Sequence, residues 1–421
     1  MSTFPPIPGW ITLEHQVANI LTQQELHGWY FNETEARSLE STLRREMEET
    51  TRLLRRQHPF VAGTVFTPKR NNRTQGYIEG APFTRLKELN PTSRDHIAWI
   101  LQTHYGWIPS LMTSKSNKPI IDEPVLKDVG KDIALDFLKI LELTKALGMI
   151  SEGVNAWQKL DTTSSRIHHH CSVATQTFRC AHRSPNLAQV PSDERFRKLF
   201  QATPGKVMVG ADLSGIELRM LAHYLARFDQ GRYTKILLTG DIHATNAERI
   251  GVSRRDVKTI SYAFLYGAGN IKLGHTFDKQ LTDEQAKKKG AELRKAYVAA
   301  IPGLKELLEA VHKASERGYV RGLDNRRILC DSRHKSLNYL IQGSSAIIAK
   351  KWLVLAHERL PADTHQLAFV HDELQYETKK ENIDELKNTL EDSARQAGEY
   401  YKLRTPIAAE SKSGANWAEV H

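Results

Sequence analysis

A chain of 421 residues is too long for one compact core and predicts two or three domains or lobes. A hydrophobic content of 40%, a charged content of 26% and a mean hydropathy of −0.48 describe a soluble globular protein, and three scattered cysteines (Cys171, Cys180, Cys330) argue against a disulfide framework or a Cys-rich zinc site. Lys and Arg total 59 against 49 Asp and Glu, a formal charge of +10 that favours polyanionic partners, nucleic acid first.

The start, MSTFPPIPGW, lacks a basic segment followed by an apolar one, and no 18-residue apolar run occurs. With the reducing environment that the cysteines suggest, this reads as a soluble intracellular protein with no membrane partner.

Residues 12–57 read as helix, closing in the charged stretch SLESTLRREMEETTRLLRRQH, where Leu43, Met47 and Leu54 keep helical spacing. Gly, Pro and Asn rise from Pro59 to Asn90 around the basic knot PKRNNR (Pro68–Arg73), which reads as loop. In NPTSRDHIAWILQTHYGW, Ser93 is a candidate N-cap and Gly106 a helix stop. SKSNKP (Ser114–Pro119) is a second basic loop, and helical periodicity returns over Pro124–Leu147.

The character changes after Ile167. KVMVGADL (Lys206–Leu213) is a short apolar run ending in an aspartate, a buried strand, and SGIELRMLAHYLARF turns helical. Residues 281–317 and 335–359 read as helices, and HQLAFVHDELQYE (His365–Glu377) as strand, tight acidic turn, strand. There is no internal repeat and no Gly-x-x-x-x-Gly-Lys-Ser/Thr phosphate loop.

SRRDVKTISYAFLYGAG (Ser253–Gly269) has two faces when wound at about 100° per residue. Val257, Ile260 and Phe264 form an apolar stripe, while Arg254, Lys258, Tyr262 and Tyr266 form a ridge with a step of four, about 18 Å long. Alone, this is equally an amphipathic helix with solvated cations. Asp212 and Asp372, each at the end of an apolar strand, give the ridge a second reading. If the two strands share a sheet, the carboxylates project from one edge and can bridge two magnesium ions, leaving the cations to meet a triphosphate and the rings its base or sugar.

At these residues the sequence resembles the A-family DNA polymerases, the bacterial polymerase I class and the related phage replicases. DLSGIELR (Asp212–Arg219), RRDVKTISYAFLYG (Arg254–Gly267) and VHDEL (Val370–Leu374) are similar to the family's three signature motifs in order and spacing. TFRCAHRSPNLAQVP (Thr177–Pro191), GDIHATN (Gly240–Asn246), SLNYLIQG (Ser336–Gly343) and SGANWAEVH (Ser413–His421) agree; QQELHGWYFN (Gln23–Asn32) agrees more thinly.

The resemblance implies an α+β right hand: an N-terminal helical segment on the palm (1–36), a helical thumb (37–150), a palm in two parts with an antiparallel sheet (151–238 and 325–421) and helical fingers (239–324). It implies a DNA-templated DNA polymerase serving phage or mobile-element replication or repair. Asp212 and Asp372 are its metal carboxylates, with the Leu213 backbone carbonyl and an auxiliary Glu373. The cofactor is Mg2+, two ions, which Mn2+ can replace. Arg254, Lys258 and His243 bind the incoming deoxynucleoside triphosphate, with Lys258 as general acid toward pyrophosphate. Tyr266 and Gly267 hold the templating base, and Glu217, near Tyr262, is the gate against a ribose 2′ hydroxyl. Arg179, Gln189, His334, Asn338 and Gln342 face the minor groove of the primer–template, and His371 the primer end; His334 stands where bacterial members carry arginine. Lys115 and Lys118 are candidate phosphate contacts.

The run HHHC (His168–Cys171) lacks a second ligand pair at metal spacing, so zinc is not expected. The first 150 residues show no strand followed by Asp-x-Glu, so a proofreading exonuclease is expected to be naturally absent, carried by a separate polypeptide, or truncated away. A long thumb insertion is also missing, which argues against thioredoxin as a processivity factor while leaving room for another. The cytoplasm of a bacterial host is the expected location.

Overall fold

The computed structural model describes residues 7–109, 111–113, 115–160, 164–173, 175–278 and 281–421. The chain divides into two compact units, residues 34–159 and a larger one made of the N-terminal residues through Glu33 together with 160–421.

The smaller unit is mainly helical. Its core gathers Leu54 from the helix Glu33–Gln57, Ile97, Ile100 and Leu101 from Arg94–Tyr105, and Phe137 and Ile140 from Asp132–Leu147. Ser93 caps Arg94–Tyr105 by accepting from the His96 N–H, and Gly106 ends it with φ 65°, as the sequence predicts. The helical stretch 124–147 is two helices, Glu123–Asp128 and Asp132–Leu147, separated at Gly130, which takes φ 66°.

Pro59–Asn90 is not the expected loop. Phe60–Phe66 and Phe83–Glu88 pair antiparallel, with Val61 opposite Lys87 and Phe66 opposite Phe83. The β-branched and aromatic residues that favour strand lie at the two ends of the segment, and the turn-rich middle hid them.

In the larger unit four antiparallel strands lie in the order His365–Val370, Glu373–Thr378, Val207–Leu213 and Ala409–Gly414. The long helix Ser336–His357 is apolar over most of its surface and almost wholly buried, and it packs with Ile383–Tyr400 in the core that includes Val209, Leu374 and Trp352. The N-terminal helix Gly9–His27 packs on Ser336–His357 and on the edge strand His365–Val370. Its Glu14 meets two buried cations, Lys350 at 2.6 Å and Arg326.

The helix expected over 12–57 breaks at Gly28. A side chain there would come within 2.9 Å of the His168 ring, and the residue takes φ 69°. The chain then forms a short strand, Trp29–Phe31, whose Trp29 and Phe31 are fully buried. The reading of 281–317 as one helix is likewise divided, into Asp283–Ala300 and Leu304–Ser315, around Pro302 and Gly303. Among the described residues no helix is long and apolar enough to cross a membrane.

Candidate active site

The strand Val207–Leu213 carries Met208, Val209, Ala211 and Leu213 into the core and ends beside Asp212. Strand His365–Val370 turns back through His371 and Asp372; His371 adopts a left-handed φ of 58°, which tightens the turn. The two expected aspartate strands are not direct neighbours, because Glu373–Thr378 runs between them. The turn nevertheless reaches Asp212, since the Leu213 N–H donates to the Asp372 carbonyl at 3.0 Å. In register across the sheet, Asp212 is flanked by Glu373 on one side and Glu410 on the other. A cavity of about 210 Å³ opens there, lined by Asp212, Ser214, Glu373, Glu410, Lys412 and His421.

These acids differ in how they are balanced. Burial in the cleft, then the charges of Asp372 and Glu373, push the Asp212 carboxyl up to about 7, although part of it stays open to solvent. Burial, then the charge of Glu217, push Asp372 up to about 6. Burial would also raise Glu373, but His421, Trp417 and Gln375 hold it below the usual carboxylate range. Its Oε1 accepts from Gln375 Nε2 and Trp417 Nε1, and its Oε2 lies 3.1 Å from His421 Nδ1.

Among the described residues no group of three or more His, Cys, Asp or Glu side chains is arranged to hold a metal ion. The donor set that does exist is a pair of aspartates whose carboxyls burial and neighbouring acids push toward the neutral form. That suits Mg2+, which is bound through one or two carboxylates and fills its octahedron with water and substrate phosphate.

Ser253 caps the helix Arg254–Leu265 by accepting from the Asp256 N–H at 3.1 Å. Val257, Ile260 and Phe264 are buried, so the apolar stripe packs as its spacing predicts. Arg254 and Lys258 remain exposed. Arg254 Nε pairs at 2.6 Å with Asp241, which also caps the helix Ile242–Ile250 and thereby presents His243 from that helix's first turn. The His243 ring lies 6.1 Å from Tyr262, and Tyr262 stacks 6.4 Å from Tyr266. The helix stops one residue short of the expected ridge: Tyr266 is its C-cap, and Gly267 follows with φ 69°.

Glu217, in the first turn of Ile216–Asp229, accepts from Arg179 Nη2 at 2.6 Å and from the Tyr266 hydroxyl at 3.1 Å. Burial first, then the charges of Glu217 and Asp372, push the Tyr262 phenol up, so this ring lies within electrostatic reach of the acids. Asn338 is buried and donates from Nδ2 to the Leu265 carbonyl at 2.7 Å, an anchor for the end of the cation helix.

The sequence-derived set therefore assembles in two groups, Asp212–Leu213–Asp372 with Glu373 and Arg179–Glu217–Tyr266 with Tyr262 and His243. Gln189 and His334 are exposed and Gln342 half-buried; the structure gives these three no contact with either group. His334 Nδ1 instead lies 2.6 Å from Ser332 Oγ. His371 sits edge-on to His182, with ring centroids 6.3 Å apart. The three adjacent histidines are each engaged: His168 and His170 with Glu25, His169 with the Leu367 carbonyl. Sequence reasoning missed Asp241, Glu410, Trp417 and His421. Asp241 was visible as an Asp before a helical run, but the partners of Glu373 depend on the return of the C-terminus to the sheet.

The fold is that of the right-handed polymerases. The polymerase domain of Pol1 from M. smegmatis, solved in complex with DNA primer-template and dNTP, superposes with a TM-score of 0.76 over 97% of this chain and 70% of that one, at 20% identity. The family model for DNA polymerase family A matches residues 70–419, and the chain belongs to that family, as a DNA-directed DNA polymerase. It is 31% identical to the DNA-directed DNA polymerases of Enterobacteria phage T3 and Escherichia phage T7 over 98% of this chain and 70% of each of theirs. The corresponding enzyme of Escherichia phage Phieco32 is 32% identical over 85% of this chain. The T3 and T7 alignments run to 499 positions, longer than this chain, so those relatives carry segments that it lacks.

Proposed function

We propose that Asp212 and Asp372 form the metal-binding pair of a two-metal nucleotidyl transfer, extending a DNA primer with deoxynucleoside triphosphates on a DNA template. The observation that carries this reading is the pair itself: two acids driven toward neutrality by burial and by the negative charges around them, with Tyr262 of the cation-bearing helix in electrostatic reach of Asp372. Divalent ions held by these carboxylates and the Leu213 carbonyl would supply Lewis acidity and charge at the reacting phosphate.

The chain's own residues do the rest. Arg254, Lys258 and His243 bind and orient the triphosphate; as the primer 3′ hydroxyl attacks the α-phosphate it gives up its proton to water, the bond to the β-phosphate breaks, and Lys258 Nζ gives a proton to the departing pyrophosphate. Tyr266 and Gly267 support the nascent pair. Glu217, held by Arg179 and Tyr266, stands where a ribose 2′ hydroxyl would fall. Arg179, Gln189, His334, Asn338 and Gln342 serve the duplex minor groove and His371 the primer end, with Asn338 acting first through its bond to Leu265. Glu373, with both oxygens engaged, is a positioning acid. Primer extension by the parent on a labelled duplex, with ribonucleotides as the comparison substrate, tests the reading; extension with ribonucleotides at the deoxynucleotide rate would remove the gate.

Tyr262→Phe is expected to discriminate against dideoxynucleotides about 10- to 100-fold more strongly than the parent, because the phenol can replace a hydrogen bond of about 1–3 kcal/mol lost with the substrate's 3′ hydroxyl. Chain-termination ratios for the two proteins measure this, and equal ratios would refute it. We further propose that this chain does not proofread, because residues 34–159 form helices and a two-stranded hairpin rather than an acid-bearing sheet. Shortening of a labelled single-stranded primer by the purified parent would contradict that.

A further inference from the structure

The hairpin Phe60–Phe66/Phe83–Glu88 of the smaller unit presents an aromatic and basic face. Thr64, Phe66, Gln75, Tyr77, Arg85 and Lys87 line a cavity of about 390 Å³ on it. The rings form a chain: Phe66 lies 5.6 Å from Tyr77, and Tyr77 lies 5.1 Å edge-on to Phe83. Phe66 is 50% exposed and Phe83 37%, so the rings present free surface. Arg85 reaches over the Tyr77 ring and donates from Nε to its hydroxyl at 3.1 Å.

Charge on this segment is one-sided. Residues 59–90 hold five cations and two acids, and one of the acids, Glu88, is paired at 3.1 Å with Arg55. Among the described residues neither Arg85 nor Lys87 makes an ion pair.

The intervening loop is ordered by its own bonds. Asn72 and Tyr77 exchange backbone hydrogen bonds of 2.9 Å, Asn71 Oδ1 accepts from the Glu79 N–H at 2.8 Å, and Gly80 N–H donates to the Pro68 carbonyl at 2.9 Å. Tyr77 is thus held in place rather than left on a free tether.

We propose that this face binds a single DNA strand, with unpaired bases stacked on Phe66 and Tyr77 and phosphates on Arg85 and Lys87. Exposed aromatics beside cations match a strand whose bases are free to stack; paired bases in a duplex offer no such surface to a ring, and a purely apolar partner would leave the cations uncompensated. The inference rests on the polymerase reading only for the choice of DNA as the polyanion.

The test is fluorescence anisotropy of a labelled oligodeoxythymidylate titrated with the full chain, the copying site first saturated with an unlabelled primer–template. Phe66→Leu keeps an apolar side chain and removes the ring; it is expected to weaken oligonucleotide binding about tenfold, with Phe66→Trp restoring it. Arg85→Gln with Lys87→Gln is expected to flatten the salt dependence by about 1.4 in the log–log slope, at about 0.7 per contact on a single strand. Thermal unfolding and single-nucleotide addition on a recessed primer should stay at parental values in all three. Parental oligonucleotide affinity in Phe66→Leu, as a protein-docking role would give, overturns the proposal. So does an equal loss on a blunt duplex, or no binding by the parent. Those failures leave nucleotide addition intact, whereas failure of the polymerase reading would appear as absent addition in the parent.

Discussion

Asp372→Ala and Asp212→Ala are each expected to lower single-nucleotide addition by about 1,000-fold or more, while primer–template affinity falls less than tenfold. The size follows from losing a metal carboxylate, worth several kcal/mol of transition-state charge stabilisation. Binding should survive because the cations of the Arg254–Leu265 helix are untouched and the site loses negative charge next to a polyanion. Neither variant should unfold the larger unit. Burial and like charge push both carboxyls toward the neutral form, so removing one relieves repulsion. Rapid-quench addition with a filter-binding control checks both halves. Glu373→Gln is expected to act differently, costing stability through Trp417 and His421 as well as rate.

Glu377→Ala is expected to destabilise the larger unit by about 3–5 kcal/mol, the usual cost of removing one partner from a buried charged network. Glu377 is fully buried in the second strand of the sheet. Its carboxylate accepts from the Thr203 N–H at 2.8 Å and the Thr203 hydroxyl at 2.7 Å, and lies 2.8 Å from His27 Nε2 and 3.5 Å from Arg166 Nη2. It thereby ties the C-terminus of the first helix, the Arg166–Ile167 strand and the approach to the Asp212 strand to one point. Burial would raise its pKa, but these bonds hold it near 2, below its ordinary 4.5. A depressed carboxylate stabilises the fold fully above the unfolded value, so this contribution is complete above about pH 4.5 and is lost as pH falls toward 2. Trp29 and Trp417 pack 5.0 Å apart in the same unit and can report its denaturation. The parent should lose stability between pH 4.5 and 2 more steeply than Glu377→Gln, whose amide does not titrate there. Parallel curves would refute this.

Much of the site was legible in the sequence because its signals are local. A seven-residue strand with Asp212 as its penultimate residue, a tight turn at His371–Asp372, a Ser-capped helix and an apolar stripe at 257, 260 and 264 depend on near neighbours alone. What stayed hidden depends on partners far along the chain. That Glu373–Thr378 runs between the two aspartate strands, that Glu410 lies opposite Asp212, and that the last residue reaches Glu373 are facts of pairing across 48 to 198 residues. The break at Gly28 needed His168 to be known beside it. The hairpin at 60–88 was masked by composition: its turn-rich middle outweighed two short strands.

The central claim is that the Asp212–Asp372 pair works by holding divalent ions for nucleotide transfer. The most direct measurement is the rate of a single templated addition by the parent as a function of free Mg2+, from chelated to saturating, with primer–template bound throughout. The account predicts no addition in chelator and a rate rising with greater than first-order dependence on Mg2+ at low concentration. Addition that persists in excess chelator at the saturating rate would contradict it.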